Sequence, residues 1–164
     1  MGLLNSKERR RLSETIKDIY GSSDFLSNFG ILKTSNRDRL WLVAKKIFEV
    51  DMQKLRVQSA GLYFGRFDNG MLRLSIEGAQ LIGKTAKKNI VEISKDDVWH
   101  YMRGFNIKPI EKINTKNNSY VLVRHDKDIL GIAKLVNDEL ENVLPKSRKL
   151  ISLTKENNLN TEVD

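Results

Sequence analysis

The most constraining stretch of this chain is "LYFGRFDNGMLRLS", residues 62–75. Asn and Gly accept positive φ at little cost, so Asp68-Asn69-Gly70 between two apolar runs predicts a tight β-hairpin. The same texture continues beyond it, with "KNIVEI" as a strand and "YVLVRHDKDILGIAKL" as two strands around "DKD". The helices between these runs are short. "SIEGAQLIG" predicts one with Ser75 as N-cap and Gly83 at the C-cap position. "SKDDVWHYMRG" predicts a better-marked one: Ser94 and Asp97 approximate a capping box, Asp96 and Asp97 face the positive end of the helix dipole, and Gly104 can end it. Such connections are too few and too short for repeated βαβ units. The expected class is therefore α+β, with a small mixed barrel rather than a parallel sheet.

Ahead of the hairpin, "SKERRRLSETIKDIYG" repeats apolar residues at helical spacing through Leu12, Ile16 and Ile19 or Tyr20, with Ser6 as N-cap and Gly21 just past the end. "FGILKTSNRDRLWLVAKKIFEV" predicts two strands around "SNRD", then a helix carrying Ala44, Ile47 and Phe48. The change in texture near Arg56 predicts two domains, an N-terminal α/β unit over residues 1–55 and a barrel over residues 56–151. Residues 152–164 lack the apolar content to fold and are expected to be a disordered tail.

The chain contains no cysteine, which excludes disulfides, zinc–thiolate sites and cysteine nucleophiles. No apolar run approaches the roughly 20 residues of a membrane-spanning helix, and no basic-then-apolar leader is evident, so secretion is not expected. A net charge of +8 points to a polyanionic partner. The charge is uneven: residues 142–155 carry Lys146, Arg148, Lys149 and Lys155 against no acid, and the following residues carry Glu156, Glu162 and Asp164 against no base. His100 and His125 stand far apart in sequence without a Cys or a clustered carboxylate, so neither a metal site nor a triad is expected, and no cofactor. Asp96-Asp97 reads as a helix N-terminus and Glu139-Glu141 as a polar loop. "MGLLNS" fits the N-myristoylation pattern and precedes a basic group, Lys7, Arg9, Arg10 and Arg11. This leaves a peripheral membrane role as an alternative.

The ordered string "GLYFGRF…LRLSIEGAQLIG…VWHYMRGFNIKP…YVLVRHDKDILGIAKL…NVLPKSRKL" resembles the PUA domain, an RNA-binding pseudobarrel. Leu130-Gly131, Lys134, Asn142, Pro145, Lys146 and Arg148 are similar to the PUA domain attached to the NOL/NOP/Sun family of RNA cytosine methyltransferases. The order of helix, hairpin and helix in the first 55 residues is similar to the pre-PUA domain of small stand-alone PUA proteins of ribosome biogenesis. The resemblance implies an RNA partner, rRNA or tRNA, and an RNA methyltransferase or pre-ribosomal proteins meeting the N-terminal domain. It also implies a cytoplasmic setting, nucleolar in a eukaryote. Methyltransferases of that family use cysteine nucleophiles and a glycine-rich cofactor loop, and this chain has neither. The expectation is a non-catalytic recognition module or accessory in RNA modification; the rival is a protein–protein adaptor whose basic charge is not RNA-specific.

Three clusters are candidate RNA contacts. Lys146, Arg148 and Lys149 beside Pro145 form a basic edge suited to phosphate oxygens, against the alternative of a solvated strand exit. In "VWHYMRGFNIK", Val98, Met102 and Trp99 are expected in the core. Tyr101 is read either as a base-stacking ring or as packing, and Arg103 and Lys108 as surface cations. Lys84, Lys87 and Lys88 are expected to form a second basic lip. Gly78 either lets RNA approach the backbone or serves tight packing, and Gly65 serves barrel curvature.

Overall fold

The computed structural model describes residues 2–22, 25–34, 38–49 and 60–151. Helix α1 spans Ser6–Tyr20. Its cap is Asn5, one residue before the expected Ser6: the Asn5 side chain accepts from the Glu8 amide at 3.0 Å, and the Glu8 carboxylate accepts from the Asn5 amide at 2.9 Å. Gly21 ends the helix in the left-handed conformation, φ 63°. Leu12, Ile16 and Tyr20 form the buried stripe.

Strands β1 (Gly2–Leu3), β2 (Phe29–Lys33), β3 (Arg39–Ala44), β4 (Leu62–Asp68) and β5 (Met71–Leu74) form one antiparallel sheet in chain order. The predicted hairpin joins β4 and β5, with Asn69 and Gly70 at φ 48° and 78°. The helix expected from "AKKIFEV" is a 3-10 segment over Lys45–Glu49. The division at residue 55 is not a structural boundary. Trp41 and Leu42 pair with Tyr63 and Leu62, so one sheet crosses it. The change in texture near Arg56 falls between two neighbouring strands. The expected tail lies outside the described residues.

The second sheet contains β6 (Ile90–Glu92), β7 (Glu111–Ile113), β8 (Ser119–His125), β9 (Asp128–Val136) and β10 (Glu139–Asn142), in the order β10-β9-β8-β6-β7. Only β6 and β8 run parallel among the paired strands. The Glu139-Glu141 segment, read as a loop, is strand β10: its acids face solvent while Leu140 is buried and bridges Ile107. Helix α2 (Ile76–Gly83) has the predicted Ser75 cap, but its C-cap is Lys84 rather than Gly83. Helix α3 (Lys95–Met102) begins at Ser94 as expected, and Gly104, φ 93°, follows its end.

Two apolar clusters fill the interior, and β8 serves both. Tyr120 and Leu122 join α1, α2 and the first sheet, whereas Val121 and Val123 face Tyr101, Leu135, Leu140 and Leu144. A strand covered on both faces reads as an unbroken apolar run, which explains "YVLV". The first cluster contains residues from both sides of position 55, so the parts share a core.

Candidate nucleic-acid interface

Strand register brings together three arginines that lie far apart in sequence. Arg39 is the Cα partner of Arg66, and Arg66 of Arg73, so they stand abreast across β3, β4 and β5. On β5 the inward positions are Leu72 and Leu74, which puts Arg73 on the other face. Like charges directly opposite destabilise a sheet. Asp68 offsets part of this: its Oδ2 lies 3.5 Å from Arg66 Nη2 and 3.6 Å from Arg73 Nη1, and it accepts a 2.9 Å hydrogen bond from the Tyr120 hydroxyl. That hydroxyl chiefly, and then the two guanidinium charges, hold the Asp68 carboxyl below its ordinary range against a smaller opposing effect of burial. Burial, and then the bond to Asp68, push the Tyr120 phenol up.

These arginines line a cleft of about 560 Å³ whose other wall is the start of α2 and the segment after β10. A 3-10 turn over Lys146–Arg148 puts Arg148 there, paired with Glu77 at 2.5 Å. Arg73 is fixed in place: Nη2 donates to the Val143 carbonyl at 2.7 Å, and the guanidinium lies 5.7 Å from the Tyr120 ring centroid. Tyr63 also lines the cleft and packs on Trp41 at 5.1 Å. Four guanidinium groups around one cavity, one of them paired with a partly exposed carboxylate, suit phosphate oxygens. The Arg148–Glu77 pair is half-exposed, so it contributes under about 1 kcal/mol and can yield to a phosphate.

The sequence-predicted residues are divided among several places. Arg148 also lines a second concavity with Lys84, and Lys84 a third with Lys17, Lys87 and Lys88, so a basic band runs from the arginine cleft to the end of α1. Lys149 lies across Gly104, and Arg103 lies over the Phe105 ring at 5.4 Å. Lys108 is off this band, near Asp138, whose carboxyl is lowered chiefly by Lys112. Lys146 is exposed and lines none of the three concavities.

Several expectations are corrected. Tyr101 is fully buried and donates to the Ile132 carbonyl at 2.8 Å, which rules out base stacking by its ring. Trp99, expected in the core, is 52% exposed, because the buried residue of α3 is Tyr101. Gly78 is buried with its Cα against β4, the packing role. His125 does have clustered carboxylates: Glu92, His125 and Asp126 place ligand-type atoms within 4.8 Å of one another. Both Glu92 oxygens are already engaged, by Arg124 Nε at 2.7 Å and by the Asp126 amide at 2.5 Å.

Arg39, Arg66 and Arg73 were missed. A two-residue turn at Asn69-Gly70 already places Arg66 opposite Arg73 by counting outward, a signal present in the sequence. The Arg39–Arg66 pairing depends on how β3 meets β4, which no local pattern encodes.

Residues 88–150 match the family described as "Methyltransferase RsmF PUA domain". The matched segment carries the sequence pattern of a PUA domain. Over 135 residues the chain is 30% identical to the ribosomal RNA small subunit methyltransferase F of Aeromonas hydrophila, covering 80% of this chain and 26% of that protein. The Aeromonas salmonicida protein of the same name is 26% identical over 137 residues, covering 81% and 27%. The chain thus spans about a quarter of the length of these curated relatives. A conserved PUA domain protein from Thermoplasma acidophilum shares the fold, with a TM-score of 0.57 over 88% of this chain and 92% of that one at 11% identity. Lys146, Arg148 and Lys149 lie inside the PUA match, while Arg39, Arg66 and Arg73 precede it. The arginine cleft is therefore built where the PUA segment meets the strands before it.

Asp68 gives a first test of how these charges are balanced. Asp68→Asn is expected to lower stability by about 1 kcal/mol, chiefly by weakening the Tyr120 hydrogen bond. A carboxylate with a depressed pKa stabilises the fold above its unfolded-state value, and that contribution is lost as pH falls through the lower folded-state value. The difference from wild type should therefore be full at neutral pH and shrink below about pH 4. Thermal unfolding of both proteins across an acid series checks this; a constant difference at every pH would contradict it.

Proposed function

We propose that this protein is a non-catalytic RNA-binding module that engages ribosomal RNA through the arginine cleft, as an accessory to rRNA modification or ribosome assembly. The observation that carries this reading is the convergence of Arg39, Arg66 and Arg73 with Arg148 around one cavity. Guanidinium forks match phosphate oxygens and hold a strand in register without reading its sequence. The names of the Aeromonas relatives supply rRNA as the class of RNA. The non-catalytic part rests on the lack of any cysteine, the nucleophile of the NOL/NOP/Sun enzymes that the chain resembles.

Affinity of the purified protein for small-subunit rRNA fragments, measured by filter binding across a salt series, tests it. Neutralising four phosphates predicts a log–log salt slope of about −3 to −4. Replacing Arg148 and Lys149 together by Ala should weaken binding to all RNA sequences about equally and flatten the slope by roughly one to two. A salt-independent affinity, or none, would sink the RNA reading and favour a protein adaptor. Methyl transfer to RNA by the protein alone would sink the non-catalytic one.

A further inference from the structure

Helix α3 and the loop after it carry exposed aromatic rings that no part of the cleft uses. Trp99 is 52% exposed and Phe105 51%. These are interleaved with cations. The Arg103 guanidinium lies over the Phe105 ring, and His100 meets the same ring edge-on at 6.2 Å between centroids. Lys149 crosses Gly104, the residue before Phe105.

The loop is held in place rather than free. The Phe105 amide donates to the His100 carbonyl at 3.0 Å. The Phe105 carbonyl accepts from Asn142 Nδ2 at 3.2 Å, and the same amide group donates to the Tyr101 carbonyl at 2.8 Å. The Asn142 backbone N–H donates to Asn106 Oδ1 at 2.9 Å. Helix α3, through His100, and strand β10, through Asn142, thus fix the two backbone groups of Phe105, so a ligand meeting its ring has little ordering entropy to overcome.

The platform also adjoins the basic band. Met102 lines the second concavity together with Arg148, and its carbonyl accepts from the Leu150 amide at 2.9 Å, just after Lys149. We propose that Phe105, backed by Arg103 and His100, is a stacking platform for an unpaired RNA base. The strand would reach it from the arginine cleft by way of Arg148 and Lys149. This rests on the RNA-binding reading and specifies the ligand's form: a structured segment with an unpaired extension, rather than a duplex alone. A protein partner would favour a contiguous apolar core depleted of Lys; a ring beneath a guanidinium, next to a basic band, fits bases and phosphates.

The test compares a short blunt RNA duplex with the same duplex bearing an adenine-rich single-stranded extension, by fluorescence anisotropy. Wild type should bind the extended RNA more tightly. Phe105→Ala should lower that affinity roughly tenfold and leave the blunt duplex unchanged, as expected for one lost base–aromatic stack. Phe105→Leu, which keeps apolar bulk but has no π face, should lose most of the same gain, and Phe105→Tyr should keep it. Full affinity in Phe105→Leu, or equal loss on both RNAs, overturns the platform while RNA binding stands. Absence of wild-type binding to either RNA overturns the RNA reading and the platform with it.

Discussion

Replacing Arg66 and Arg73 together by alanine is expected to lower affinity for rRNA fragments roughly thirty- to one-hundredfold near physiological salt, or ~2–3 kcal/mol. The two side chains are neighbours across β4 and β5 and line the same cleft, so both are removed from one binding surface. Each neutralised phosphate lost should flatten the log–log salt slope by about 0.7 to 0.9, giving a combined change near 1.5. The fold should survive. Arg73 loses its bond to the Val143 carbonyl, but the substitution also removes a like-charge pair, and Asp68 keeps the Tyr120 hydroxyl. Circular dichroism should therefore match wild type. Lys108→Ala is the control: Lys108 is exposed and lines none of the three concavities of the basic band, and its loss should change affinity less than about twofold. Parallel slopes for wild type and the double variant would show that the arginine row is not where RNA binds.

The sequence was informative wherever structure is decided locally. The Asn69-Gly70 turn, the Ser75 and Ser94 caps and the amphipathic stripe of α1 each depend on residues within one turn of one another, and each stands where expected. It was uninformative where partners come from afar. Strand β7 has only three residues, and β10 buries just Leu140 between exposed acids, so neither carries an alternation long enough to identify. The false boundary at residue 55 has the same origin, since composition changes there while the sheet and the first apolar cluster continue. In α3 the periodicity was readable but its phase was not: Val98 and Met102 do pack on the core, yet the fully buried ring is Tyr101 and the exposed one Trp99. The Tyr hydroxyl explains the choice, because it reaches the Ile132 carbonyl, a partner that indole in that place has no equivalent way to satisfy. The candidate interface follows the same rule. Arg148 was visible as part of a charge run, whereas the arginine row exists only through strand register.

Gly78→Ala should have the largest effect on stability and little effect on RNA. A Cβ at this position would sit 2.2 Å from the Phe64 carbonyl oxygen, far inside contact distance, and the obstacle is backbone rather than a side chain that can turn away. Helix α2 cannot simply move off. The same Phe64 oxygen accepts the Ser75 amide at 2.9 Å at the helix start, and Ala79 beside Gly78 and Ile82 on the next turn are fully buried. Retreat would cost that bond and the packing of both residues. Ala is the better helix former by about 1 kcal/mol, which offsets only part of the overpacking cost. A net loss of about 2–4 kcal/mol follows, read as a fall in Tm of roughly 5–15 °C for a domain of this size. Below the transition the folded variant should bind rRNA fragments within a few-fold of wild type, because Gly78 is buried and does not line the arginine cleft. An unchanged Tm together with lost RNA binding would reverse the assignment, making the glycine a place where RNA approaches the backbone rather than the point at which α2 seats on β4.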